Sequence, residues 1–190
     1  MNREHTPVLE ALAVLPRWHV VHWGTHESST LLCLWVAGRE TLVPVDGQQV
    51  TYDGIRRPVD DGQLIGLLRE IQHEQDRETL RTAPAFAARR WLLERWAHTT
   101  TTGALGVWQF PRDGFIRWVH NGVLHIEAGD GTRHPTPTAL RDVLMDLGWN
   151  PPNHTYDNCW LQPTDLVSAA ELAVLTPMAA FGFDAPPEWQ

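Results

Sequence analysis

Two stripes of apolar residues at helical spacing constrain this chain more than any other feature. Leu64, Leu67, Leu68 and Ile71 stand at i, i+3, i+4 and i+7, and Leu140, Val143, Leu144 and Leu147 repeat that spacing at a constant offset of 76. Each stripe gives a helix one face that must be covered. Runs of aromatic and branched residues precede each stripe, at 18–23, 31–36, 41–45 and 50–52, then at 105–110, 115–119 and 123–127. Such runs read as strands. Asp46-Gly47, Asp53-Gly54, Arg112-Asp113-Gly114 and Asn121-Gly122 separate several of them, and Asn-Gly between apolar runs signals a hairpin. The expectation is an α+β fold, with helices packed on antiparallel sheets.

The element order also repeats. A short helix read over 7–15 precedes the first strand group, and one read over 85–97 precedes the second. A helix–strands–helix unit of about 75 residues, present twice, would explain this; so would the plain fact that any two amphipathic helices share such spacing. The chain is expected to divide into an N-terminal α+β unit at 1–82, diverged, and a C-terminal α+β unit at 83–190. The charged stretch 72–82 reads as an exposed helical extension or a linker, and 99–102 as a polar break. Thr136 is the expected cap of the 140–147 helix, with Pro137 first inside it and Gly148 its stop. A Pro-rich segment comes next at 149–163, with a short strand around Trp160. Thr164 is expected to cap a last helix at 165–180, which Pro177 should kink or shorten and Gly182 should end.

At 190 residues the chain can bury roughly two-thirds of its unfolded surface without staples. Its 15 basic residues are all arginine, against 23 acidic ones, for a formal charge of -8. Residues 1–95 carry a net of -2 and residues 96–190 a net of -6. That balance argues against general binding to nucleic acid or to anionic membranes. The acidic half suits a basic partner, although a solubilising surface is the plainer account. Two cysteines, Cys33 and Cys159, are too few for a secreted disulfide scaffold and read as buried thiols. No apolar run approaches membrane-spanning length and no signal core follows Met1, so a cytoplasmic protein is expected.

Ten histidines make metal the first chemistry to weigh. His19 and His22 lie in or beside a strand, where alternation sends them to opposite faces, and His26 comes after them in a polar loop. No helical His-Glu-x-x-His pattern exists, so no metal is expected. His154, Asp157 and Cys159 are residue types used by cysteine nucleophiles, but a lowered thiol pKa and an oxyanion hole are not legible here. Gly129-Asp130-Gly131 is a turn rather than a phosphate loop, since no lysine follows it. Asp60-Asp61 suits a helix start. No cofactor is expected.

The ten tryptophans are the more informative excess. Indole is large and amphipathic, so it is seldom buried completely. Most of the ten should serve the core. A minority should reach the surface, where an aromatic groove could hold a peptide, and Trp108, Phe110, Trp118 and Trp160 are the candidates.

From about Gly106 the chain resembles a family. The segments are Val107-Trp108-Gln109-Phe110, Leu144-Met145-Asp146-Leu147-Gly148-Trp149 followed by Pro151-Pro152, Asn158-Cys159-Trp160, Ala169-Ala170-Glu171-Leu172-Ala173-Val174 and Phe181-Gly182-Phe183. Their order over 104–187 resembles the actinobacterial peptide-binding chaperone-like domains related to type III secretion chaperones and YbjN. The resemblance implies an α+β domain that binds a peptide or partner protein without catalysis. It also implies that Trp108, Gln109 and Phe110 lie on the first strand of that domain.

The leading expectation is a non-catalytic protein- or peptide-binding module of chaperone or adaptor type, with a homodimer also open. A small hydrolase is the alternative, using histidine with Cys159 or a carboxylate; it requires three of His120, His125, His154, Asp157 and Cys159 to converge. A further alternative is an immunity-type protein that masks a basic toxin.

Overall fold

The computed structural model describes residues 14–17, 19–26, 29–36, 39–46, 49–52, 55–58, 61–131 and 136–188. The fold is α+β, and the chain divides into two compact units, Met1–Arg77 and Glu78–Gln190. The helix expected over 7–15 lies outside the described residues except at its end, where Val14 belongs to a turn.

In the first unit five strands form one antiparallel meander in chain order: β1 (His19–His26), β2 (Ser29–Val36), β3 (Arg39–Asp46), β4 (Gln49–Tyr52) and β5 (Ile55–Pro58). Two residues separate each strand from the next, so the pairing is set hairpin by hairpin. The polar residues expected to form the first loop are part of the ladder, with Thr25 opposite Thr30 and His26 opposite Ser29. β5 escapes sequence reading because Ile55-Arg56-Arg57-Pro58 shows no alternation. The backbone register of β1 against β2 shifts between Val20 and His22, where a bulge adds one residue. His19 pairs with Trp35 and His22 with Cys33, partners two apart on β2.

Helix α1 (Asp61–Leu80) comes next. Its apolar stripe is buried at Leu67, Leu68 and Ile71. The face then continues as Gln72, Gln75 and Asp76, also buried, which is why the charged stretch stays helical. Arg17 donates to both carboxylate oxygens of Asp76, with Nη1 at 2.9 Å. This fork ties the turn before β1 to α1 inside the unit.

The second unit is built around a four-stranded antiparallel sheet in the order β6-β7-β8-β9: β6 (Gly106–Gln109), β7 (Gly114–His120), β8 (Leu124–Asp130) and β9 (Cys159–Leu161). Helix α2 (Ala83–Thr102) starts at Thr82, whose hydroxyl accepts from Ala85 N–H. It runs straight through the expected break at 99–102. The hydroxyls of Thr99, Thr100, Thr101 and Thr102 donate to Arg95, Ala97, Ala97 and His98 carbonyls one turn back, so the helix absorbs the polar run. Gly103, at φ 71°, ends it by donating to Thr99 O.

Helix α3 (Thr138–Leu147) lies between β8 and β9 in sequence and packs on both. Its N-cap position is Pro137; Thr136 instead turns inward and donates to Asn158 Oδ1 at 3.2 Å. Gly148 stops the helix as expected. Helix α4 (Leu166–Phe181) is capped by Asp165, one residue past the expected Thr164. The Ser168 hydroxyl and then the Val167 N–H hold the Asp165 carboxyl below the usual range. Pro177 does not shorten α4. Val174, Leu175 and Met178 are buried on either side of it, and that burial carries the helix on to Gly182. α2 packs on α4 through small residues on each, Ala85 and Ala88 against Ala169, Ala170 and Ala173 in one core, with Arg89 paired to Glu171 at the rim.

Indoles fill the space between these helices and the sheet. Trp96, Trp108, Trp118 and Trp149 are all 3 % exposed or less, and Phe110 is equally buried. Trp91 meets Trp108 and Trp118 edge-on, both at 6.1 Å, and Trp108 meets Phe110 at 5.0 Å. Such contacts favour the edge-to-face geometry because ring edges are positive and faces negative. Beyond a meander followed by a helix, the two units differ, since only the second inserts α3 before its last strand.

Replacing Gly106 by alanine would drive a Cβ into the Trp118 ring, which is buried in the core. Overpacking of this kind costs roughly 1–3 kcal/mol, and Gly106→Ala should lower the urea midpoint accordingly, while Gly66→Ala, on α1 with open space around it, supplies the control. Asp76→Asn should cost more. It leaves the Arg17 guanidinium, 2 % exposed, without its counter-charge, a loss of about 3–5 kcal/mol for a broken buried pair. The same denaturation series reads both.

Candidate binding edge

Strand alternation decides what β6 shows to its surroundings. Trp108 points into the core, so Val107 and Gln109 point out. Val107 is 54 % exposed and Leu105, just before the strand, 72 %. The sheet has two edges. β9 carries an extra bridge to Asn150, with N–H to O distances of 3.0 and 3.1 Å in the two directions. β6 pairs only with β7 among the described residues.

The surroundings of β6 make this edge a cleft. After Gln109 the chain enters a single 3-10 turn (Pro111–Asp113), closed by Phe110 N–H donating to Gly114 O at 2.7 Å. From the other side comes the segment after α4. Gly182, at φ 71°, turns the chain, and the Phe183 N–H donates to Pro177 O. Phe183 packs on the core and anchors the residues after it. Val107, Gln109, Pro111, Pro187 and Glu188 then line an open cleft of about 540 Å³, within the size range of sites that hold small ligands or short segments.

The outer sheet face beside it is polar and aromatic. The register sets Val107, Arg117, Glu127 and Trp160 in one row across the strands. Arg117 donates to Glu127 at 2.8 Å, and Asn158 donates to the same oxygen at 3.1 Å. Tyr156 stacks on Trp160 at 4.9 Å and its hydroxyl meets His125 Nδ1 at 2.9 Å.

These positions revise the aromatic expectation. Trp108, Phe110 and Trp118 were expected to reach the surface as a peptide-binding set. The structure places all three in the core, because their strand positions share the face that α2 and α4 cover. Trp160 is half-buried on the outer face, and its indole N–H is spent on Pro151 O at 2.9 Å. The residues that form the cleft, Val107, Gln109, Pro111, Pro187 and Glu188, were missed. The alternation around Trp108 was the available signal for the first two. No local signal brings the 187–188 segment to β6.

The histidine, acid and cysteine candidates differ in burial and partners. Cys159 is fully buried and free, on the inner side of β9. Burial pushes its thiol up to about 11, with Arg141 partly opposing that shift. A cysteine nucleophile needs the reverse. His154 and Asp157 are exposed in the loop before β9, and His125 is engaged with Tyr156. Among the described residues no three His, Cys, Asp or Glu side chains form a group able to hold a metal ion. None of the described helices is long and apolar enough to cross a membrane. No family model, curated protein or solved structure matches this chain.

A thiol so placed should resist iodoacetamide in the native state and react fully once unfolded. The raised pKa means that the folded state keeps a proton the unfolded state releases from about pH 9 upward. Stability should therefore fall between pH 9 and about 11. Comparison of wild type with Cys159→Ala across that window checks it, the variant showing the smaller decline.

Proposed function

We propose that this chain is a non-catalytic protein-binding module of adaptor or chaperone type, whose second unit takes an extended segment of a partner along the β6 edge. The observation that supports this reading is the edge itself. A strand with exposed Val107, preceded by exposed Leu105, and with no second neighbour among the described residues offers its free backbone groups for pairing. Addition of a strand would use main-chain hydrogen bonds for affinity and alternate side chains for selectivity. The β9 edge is less suited, being already bridged by Asn150. The segment Val107-Trp108-Gln109-Phe110, which resembles the chaperone-like domains, includes most of this edge strand. Trp108 and Phe110 act in this reading by holding β6 flat on the core, and Val107 and Gln109 by meeting the partner.

Selection from a random peptide library, followed by amide-shift mapping, tests the reading. Selected peptides should shift the amides of Val107, Trp108 and Gln109 most. Val107→Lys, a change at an exposed site, should weaken them at least tenfold with the melting temperature unchanged, because an edge charge opposes strand pairing. Peptides that map elsewhere, or that ignore Val107→Lys and N-methylation of their own backbone, would overturn it.

A further inference from the structure

The geometry points to a slot rather than an open edge, fitted to an extended peptide that carries a basic side chain opposite Glu188. This inference rests on the β6-edge reading and gives it a partner chemistry. Two walls define the slot. Val107, Gln109 and Pro111 line it from β6 and the turn after it, and Pro187 and Glu188 from the segment after α4.

The segment after α4 cannot itself fill the site as a regular strand. Pro186 and Pro187 have no N–H to give, so the segment at 185–188 cannot form an unbroken ladder with β6. Among the described residues it forms no bridge with β6, and it lines the same cleft. Phe183, seated on the core, and the capped end of α4 keep it there. An incoming strand would lie between β6 and this wall, paired to the first and bordered by the second.

The side chains state what that strand should carry. Val107, Pro111 and Pro187 are apolar and offer contact without charge. Gln109 can both donate and accept. Among the described lining residues Glu188 is the one charged side chain, and no ion pair holds it among the described residues. Residues 96–190 carry a net of -6, so the wider field has the same sign. A lysine or arginine at the facing position satisfies Glu188; an acidic residue there meets a like charge.

Calorimetric titration of the full 190-residue chain tests this. The probes are extended peptides of about six residues, an ordinary strand length, alternating valine and threonine. A single arginine, glutamine or glutamate is scanned through each position. At one position arginine should bind about threefold tighter than glutamine and glutamate about threefold weaker, the size expected of an exposed pair. High salt should erase the difference. Glu188→Gln should abolish the arginine preference, and Glu188→Arg should invert the order. Since Glu188 is exposed, neither change should alter folding. Equal binding of all three peptides by wild type would overturn the charge assignment and leave the edge reading standing. So would a preference that survives Glu188→Gln. Absence of binding by any peptide to the folded chain would overturn the edge reading and this inference together.

Discussion

The second unit depends on where its indole N–H groups go. An indole brings more apolar area to a core than any other side chain, but its N–H loses water on burial and needs a partner. Trp118 gives its N–H to Thr99 Oγ1 at 2.9 Å, and Trp149 gives its own to Thr176 Oγ1 at 3.0 Å. Both threonines are buried on helices, and each hydroxyl passes its own proton to a carbonyl one turn back. The sheet is thus pinned to α2, and the chain after α3 to α4, by the same device. Among the described residues the buried N–H groups of Trp96 and Trp108 have no hydrogen-bond acceptor. Their edge-to-face ring contacts and apolar burial offset that loss.

This core explains the shape of the candidate site. Because Trp108 and Phe110 are buried inward, the other face of the edge strand carries Val107 and Gln109. Gly106 is required where the Trp118 ring crosses the strand, which leaves no room for a side chain there. Gly114 stands likewise against the Phe181 ring, and Phe181 packs on Phe110 at 5.6 Å. The end of α4 and the start of β7 are therefore held together. The segment after α4 that lines the cleft leaves from that same junction. The opposite edge is finished differently. Asn150 bridges β9, while Thr136, Asn158, Glu127 and Arg117 form a hydrogen-bonded row across the neighbouring strands.

Much of the element map is legible in the residues. The stripes at 64–71 and 140–147 mark helices, and the Asn-Gly pair at 121–122 joins β7 to β8. Gly148 and Gly182 end their helices with left-handed backbone. The failures have physical causes. The threonine run at 99–102 looked like a break because threonine is a poor helix former, yet its hydroxyls found carbonyls one turn back. Thr136 looked like a cap, yet a tertiary partner, Asn158, claimed its hydroxyl. Pro177 looked like a terminator, yet burial on both sides outweighed its local cost. The bulge in β1 could not be read because one extra residue leaves the composition of a strand unchanged.

By itself the sequence determined the α+β class, the antiparallel hairpins, the acidic balance and the need to house many indoles. These come from periodicity, turn chemistry and charge, all of which act between near neighbours. The tertiary structure decided which aromatic residues lie inside. Alternation says that Trp108 and Val107 face opposite ways but not which way the helices will come. Once α2 and α4 cover the tryptophan side, Trp108, Phe110 and Trp118 belong to the core and Val107 and Gln109 to the cleft. The meeting of residues 187–188 with β6 was likewise beyond local reading, since it depends on the direction in which α4 releases the chain.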